Sequence, residues 1–530
     1  MILDARAGDV PDLPEYDIVI VGAGPAGITL ACELDGANLR IALLESGGEE
    51  FDPDTQELYD GHVTGLEETD LMSSRLRFLG GTSNHWGGHC LPLDAIDFDR
   101  APLSGLSGWP FGRAALEDAY RRAHVYCDLG EDAYSPAAIA DDGRSGLLLE
   151  NDATVETVVV RQSAPTRFGP KYLARLTASK NVDLWLWANL VGIDIDEGGV
   201  AGAVETRTLS GRARRFAART VVLASGGIEN ARLLLANNAL GGRSYGDAGG
   251  LLGKCFMDHV VGGAAFLWLR EPQVDKVYWN GHVATTDGKP MRAVWRLRDD
   301  VLQREGLANS HYDLIPFFAP EAMERTRAVR QGWRGAKDIA KWGLGRAPHD
   351  FSFSESYCMA VANADMMALD ALGLVQREGA VSRLLLRYEA EQQPNRENFV
   401  DLLAETDELG MPRARLNWSP GEADRDSIVA SAMLIGAACG RADLGRVELE
   451  DHFDLRYWDA STAWHHMGTT RMAQSPTGGV VDSDCLLHGT RNLYVAGSSV
   501  MPSGGRANPT LTIVALSIRL ADHLKARSGT

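Results

Sequence analysis

One stretch near the amino terminus constrains the fold more than any other. Tyr16-Asp-Ile-Val-Ile-Val21 reads as a strand, Gly22-Ala-Gly24-Pro-Ala-Gly27 as a glycine turn, and Ile28-Thr-Leu-Ala-Cys-Glu-Leu34 as a helix. A second apolar run, Arg40-Ile-Ala-Leu-Leu44, ends at Glu45, 18 residues after Gly27. Each glycine has a mechanical task. Gly22 makes the tight turn, Gly24 lets backbone amides approach a pyrophosphate, and Gly27 lets the helix pack against the sheet. Glu45 stands where an acid accepts hydrogen bonds from an adenosine ribose. The glycine pattern alone is a weak signal among 57 glycines. With strand, helix and acid all in place, it predicts dinucleotide binding.

The same strand-to-glycine junction recurs far along the chain. Val182-Asp-Leu-Trp-Leu-Trp-Ala188 is strand-like, and Thr220-Val-Val-Leu-Ala224 runs into Ser225-Gly-Gly227 and a helix through Leu235. Near the end, Asn492-Leu-Tyr-Val-Ala496 leads into Gly497, and Asn508-Pro509-Thr510 opens an apolar helix to about Leu524. Distant segments therefore assemble one sheet. Between 266 and 454 the texture changes to short apolar runs bounded by charge, such as Arg383-Leu-Leu-Leu-Arg-Tyr388. That pattern predicts a second, antiparallel-sheet unit. The expected fold class is α/β (α+β overall). A Rossmann-like dinucleotide domain is expected over 1–265 and 455–530, and an antiparallel-sheet substrate domain over 266–454.

Composition narrows the function classes. With 52 Lys+Arg against 72 Asp+Glu, the 530-residue chain carries a formal charge of −20. Nucleic acid, or an anionic membrane as the main partner, is disfavoured, since both attract basic surfaces. Seven scattered cysteines without a C-x-x-C pair form neither a disulfide framework nor a zinc ribbon, and they suit a reducing compartment. The first residues lack the basic-then-apolar pattern of a secretory signal, and the longest apolar stretch, Ile428 to Gly440, is too short to span a bilayer. A cytoplasmic location is expected, with export alongside a partner subunit left open. Residues 321–350 depart from the acidic background, holding seven Lys/Arg against four Asp/Glu with Trp333 and Trp342 among them. They read first as a solvated helix or loop; a docking surface for a partner subunit or a membrane is the functional reading.

Two local patterns lead nowhere. His85, His89 and Cys90 lack a helix to align them and a fourth ligand, so no metal site is expected. Gly242-Arg-Ser244-Tyr-Gly246 follows a helix rather than a strand, so the sharp turn that exposes a nucleophilic serine is missing.

The sharpest chemical cluster is Trp464-His465-His466-Met-Gly468-Thr469, followed by the terminal strand and Asn508. With the fingerprint at 22–27, Gly80-Gly-Thr-Ser-Asn-His-Trp-Gly-Gly88, Ala224-Ser-Gly-Gly-Ile-Glu-Asn-Ala-Arg232, Pro394-Asn395 with Leu409-Gly-Met-Pro412, and Ala507-Asn-Pro-Thr-Leu-Thr512, it resembles the glucose–methanol–choline family of FAD-dependent oxidoreductases. The likeness spans nearly the whole chain and is strongest to the sugar-oxidising branch. It implies that FAD is the cofactor and that a sugar, glycoside or alcohol is the substrate. Oxygen, a quinone or a protein would be the electron acceptor, and a small partner subunit or a homo-oligomer stays open. His465 would be the base for the hydroxyl proton, and Asn508 would hydrogen-bond the substrate oxygen.

Consecutive residues of an extended segment point opposite ways, so only one of His465 and His466 is expected to face the flavin. The spacing to Thr469 selects His465. The implied cofactor contacts are Gly22, Gly24, Gly27, Glu45, Gly81, Thr82, Asn84, His85, Trp86, Gly87, Val191, Ala224, Ser225, Gly497, Pro509 and Thr510. His85 occupies the position that carries a covalent flavin bond in some members; a covalent link and simple packing both remain open. Asn508 before Pro509 is also a helix cap, and the helix behind it aims partial positive charge at whatever precedes it. Two alternatives accompany the lead reading. One is oxidation of an amino sugar, aminocyclitol or other non-sugar alcohol; the other is a non-redox lyase on the same scaffold.

Overall fold

The computed structural model describes the chain except residues 9–14, 67–69, 101, 141–146, 274–276, 279–282, 318–319, 345–351, 372–380, 450–460 and 530. Tyr16–Val21 is buried along almost its whole length, as a strand covered on both faces must be. It pairs in parallel with Ile41–Leu44 on one side and with the second half of Ala213–Leu223 on the other. Leu493–Val495 adds to Ala213–Leu223, also in parallel, while Val182–Leu186 and Ile2–Asp4 extend the opposite edge. The first half of Ala213–Leu223 instead pairs antiparallel with Ala201–Arg207, which pairs with Asn189–Ile195. One sheet thus gathers strands from both ends of the chain, with eight among the described residues.

The helix Pro25–Leu34 is buried nearly all round, wedged between this sheet and the terminal helix Pro509–Ser528. Gly27 is where helix meets turn: a Cβ there would stand 1.9 Å from the Gly22 carbonyl oxygen and 3.3 Å from Leu43 Cδ1.

A second sheet, nine strands among the described residues, runs in the order Gly445–Leu449, Val260–Gln273, Val381–Ala390, Ser310–Phe317, Pro290–Leu297, Val155–Gln162 and His89–Cys90, with two short strands alongside. Its pairings are antiparallel. It draws on residues upstream of 266, and the strand Val260–Gln273 runs through that position. The apolar stretch from Ile428 lies in the helix Glu422–Arg441, whose Ile428, Ala432, Ile435 and Cys439 are buried against this sheet. A small third sheet joins Phe399–Thr406, Pro412–Trp418 and Gly61–Gly65. Among the described residues no helix is long and apolar enough to cross a membrane. All seven cysteines are unpaired thiols, six of them buried.

Candidate active site

The two principal sheets bound a cavity of about 470 Å³. Its wall holds both the glycine turn with Glu45 and the pair His465 and Asn508. Gly22 takes a φ of 106°, and a Cβ on it would sit 2.7 Å from the Ala224 carbonyl oxygen, so the first and middle junctions touch. Asn230 ties the middle junction to the last: its side chain accepts from the Ser225 amide at 2.8 Å and donates to the Ala496 carbonyl at 3.0 Å. Buried Glu45 accepts from the Ala23 amide and from the Gly47 amide, each at 3.0 Å. It thereby holds the turn in shape; Oε1 also takes the Ser46 hydroxyl at 3.0 Å, and Oε2 keeps a further lone pair for a ribose hydroxyl.

Of the cofactor contacts expected from sequence, Gly22, Gly24, Glu45, Gly81, Thr82, His85, Trp86, Gly87, Ala224, Ser225, Gly497, Pro509 and Thr510 line the cavity, as do His465 and Asn508. Three do not. Gly27 packs beneath the turn, as described above. Asn84 donates to the Leu79 and Gly81 carbonyls at 3.0 Å and so braces the loop instead. Val191 yields to Ala188 and Leu190, since alternate residues of the strand face the cavity. His466 borders the cavity too, contrary to the alternation expected of an extended segment. Residues 463–466 are not a strand, and Trp464 turns the chain with a φ of 60°.

Around His465 the wall is a hydrogen-bonded array. His259 Nε2 lies 2.8 Å from the Gly505 carbonyl oxygen, and His259 Nδ1 lies 2.8 Å from His465 Nδ1. A carbonyl only accepts, so His259 carries its proton on Nε2 and, when neutral, offers a lone pair at Nδ1. His465 therefore donates from Nδ1, which leaves its own Nε2 as a lone pair on a ring 20% exposed to the cavity. Burial, then His259 and His89, hold the His465 pKa well below the usual histidine value. His465 is thus neutral at neutral pH and in a tautomer that can take a proton.

Asp258 fixes the backbone beneath it. Its carboxylate accepts the His465 amide at 2.8 Å and the Thr462 hydroxyl, and burial raises its pKa to about 6.

Asn508 does not cap the helix it precedes. Its Nδ2 donates to Glu389 Oε1 at 2.7 Å, and its buried Oδ1 finds no protein partner among the described residues. Glu389 Oε1 is also 3.7 Å from His465 Nδ1. With the cap unused, the first-turn amides of Pro509–Ser528 keep their partial positive charge at the cavity.

His259, Asp258, Glu389 and Arg387 went unrecognised in the sequence. The register explains how they arrive. Val261 pairs with Glu389, Gly263 with Arg387 and Val260 with Thr462, so three distant segments meet at one sheet end. His259, Glu389 and His465 also have the spacing of a metal trio. The 2.8 Å between the two Nδ1 atoms is a hydrogen bond; two nitrogens at about 2.0–2.1 Å from one tetrahedral zinc would stand about 3.3 Å apart.

Residues 394–517 match the family model described as GMC oxidoreductase. Similarity extends further. The 2-methyl-1,2-propanediol dehydrogenase of Mycolicibacterium austroafricanum is 23% identical, over 97% of this chain and 96% of that protein. Paromamine 6'-oxidase of Streptomyces fradiae is 24% identical over 96% and 90%. Formate oxidase of Aspergillus oryzae, solved in a study of FAD modification, matches the fold with a TM-score of 0.54 at 18% identity, over 98% of this chain and 100% of that one.

The chain thus resembles the GMC oxidoreductases along nearly its whole length. The cofactor of such an enzyme is FAD, and the residues present fit it. The Gly24 amide has no atom near a would-be Cβ, neither Gly24 nor Asn508 caps its helix with a side chain, and the cavity joins both helix starts. His85 lines the same cavity, with its ring 5.7 Å from that of Trp464 at an interplanar angle of 29°.

Proposed function

We propose that this protein is a GMC-type oxidoreductase that oxidises a hydroxyl of a sugar or glycoside to a carbonyl, with His465 as the base. The observation that carries the reading is the array His465–His259–Gly505, which presents an unprotonated Nε2 beside Asn508 in a dinucleotide cavity. FAD, when bound, supplies an acceptor for the hydride leaving the carbinol carbon. His465 Nε2 takes the hydroxyl proton, and its Nδ1–H remains on His259 throughout. Glu389 holds one N–H of Asn508, leaving the other to meet the substrate oxygen as its charge grows. Asp258 keeps the His465 backbone in place.

A sugar is supported by the cavity wall near the base. Trp464, 43% exposed, offers an apolar face, and Arg387, Glu389 and Thr462 offer polar groups. An amino sugar is the second reading. The Glu389 carboxylate on the cavity wall favours it, as does similarity to an oxidase named for paromamine.

The test is anaerobic mixing of the yellow protein with sugars, glycosides, amino sugars and simple alcohols. Bleaching of the visible flavin band by a sugar or glycoside is expected, and admission of air then separates an oxidase from a dehydrogenase. Bleaching by simple alcohols alone would refute the sugar assignment. Conversion with a permanently oxidised flavin would mark a lyase. On acid precipitation of the same sample, a covalent bond through His85 keeps the colour in the pellet, whereas a merely packed histidine releases it.

A further inference from the structure

The helices Pro320–Gly343, Phe353–Ala362 and Ala364–Ala371 pack on one another and contribute nothing to the cavity wall. The first helix uses its small residues for this packing. A Cβ on Gly332 would stand 2.6 Å from Met367 Sδ, and one on Gly335 would stand 2.3 Å from the Ser356 carbonyl oxygen. Val329 is buried on the same side. Left on the outer side are Arg327, Arg330, Arg334, Lys337 and Lys341, whose alternating three- and four-residue spacing makes one stripe along the helix. The first four are exposed and Lys341 is partly so. From 327 to 343 the only acid is Asp338, 3.8 Å from Arg334.

Aromatic rings flank the stripe. Trp333 is 45% and Trp342 53% exposed. The Trp342 ring lies 5.2 Å from Phe353, which lies 6.1 Å from Tyr357. Phe353, Tyr357 and Val361 form an exposed i, i+4, i+8 row. An aromatic edge thus crosses from one helix to the next beside five cations.

We propose that this helical unit docks the protein onto an anionic lipid surface. A contiguous exposed apolar edge marks an interaction site. Indole and phenol rings suit headgroup depth, where they keep one side apolar and one wet. Lysine and arginine beside such rings are the pattern of helices that lie in the interface. The chain as a whole carries −20, which opposes approach to an anionic surface. That opposition is screened beyond about 10 Å at 0.1 M salt, so the groups at contact decide. A stripe of one sign matches a uniformly anionic plane better than it matches a folded partner of mixed charge.

The test is sedimentation of the FAD-loaded protein with vesicles of phosphatidylcholine, with and without phosphatidylglycerol. Binding is expected only with the anionic lipid. It should collapse as salt rises from about 0.1 M to about 1 M, which shortens the Debye length to about 3 Å. The combined variant Arg327→Gln, Arg330→Gln, Arg334→Gln and Lys337→Gln should weaken partitioning roughly 100-fold or more. Trp342→Ser with Phe353→Ser should weaken it independently, with flavin colour and far-ultraviolet dichroism unchanged. Equal binding to both vesicle types, or to neither, overturns the proposal. So does concentration-dependent self-association that the same variants abolish, since it would assign the surface to a second copy. The salt titration of the unaltered protein needs no variant to fold.

Discussion

Replacing His465 by alanine is expected to slow flavin reduction by roughly two to four orders of magnitude, with the bound-FAD spectrum left in place. The geometry explains both halves. In the proposed mechanism His465 Nε2 is the lone pair offered to the substrate, while Nδ1 is occupied by His259 at 2.8 Å. Alanine deletes the proposed proton acceptor, yet the glycine turn and Glu45, which His465 does not hydrogen-bond, are untouched. Stopped-flow bleaching under anaerobic conditions reads the rate, and the resting spectrum reads cofactor content. A colourless variant would show that His465 is structural and that the base has been misassigned.

The pH profile is a companion readout. The neutral ring accepts the proton and the protonated ring cannot, so activity fails on the acid side of the His465 pKa. Burial and the neighbouring histidines lower that pKa from its ordinary value of about 6.5. The rate should therefore stay level as pH falls through about 6.5 and decline only below it. An acid limb centred above 6.5 would contradict the neutral, buried array.

What the sequence disclosed follows from the range of the interactions involved. The three strand-to-glycine junctions are local patterns, each readable within a dozen residues, and the parallel sheet joins them through Ala213–Leu223. His465 and Asn508 were named because they sit in motifs shared with a family. Their partners have no such local mark. Glu389 reaches the site through its pairing with Val261, 128 positions away, and His259 does so by directly preceding that strand. Antiparallel register over such separations is decided by packing across the whole sheet, which periodicity cannot reveal.

One available signal was charge out of place. Asp258 and His259 immediately precede an apolar strand, and Glu389 closes another, where an uncharged residue would cost less to bury. Asn508 shows the limit from the other side. Local rules assign its Oδ1 to capping, but the Nδ2 hydrogen bond to a buried carboxylate turns the side chain away from the helix. The pair His465–His466 shows it again, because the alternation rule applies only to strands and residues 463–466 are not one.

Gly27→Ala carries the second large effect, though Gly27 touches no part of the cavity. The added methyl would lie 1.9 Å from the Gly22 carbonyl oxygen, and that oxygen is backbone. No side-chain rotation relieves the clash, so the helix Pro25–Leu34 and the turn must separate. The helix cannot retreat, because it is packed against the sheet and the terminal helix. The turn must therefore shift, carrying with it the Gly24 amide and the Ala23 amide that Glu45 holds. Overpacking of this kind costs roughly 1–3 kcal/mol. Since the displaced turn carries the amides of the cofactor cradle, the strain should appear chiefly as FAD affinity lower by roughly 5- to 150-fold. Titration of the stripped protein with FAD, followed by flavin fluorescence, measures it, and circular dichroism confirms that the sheet persists. Affinity equal to that of the unaltered protein would mean that the helix start and the turn are not mechanically coupled, and that Gly27 is dispensable to the cradle.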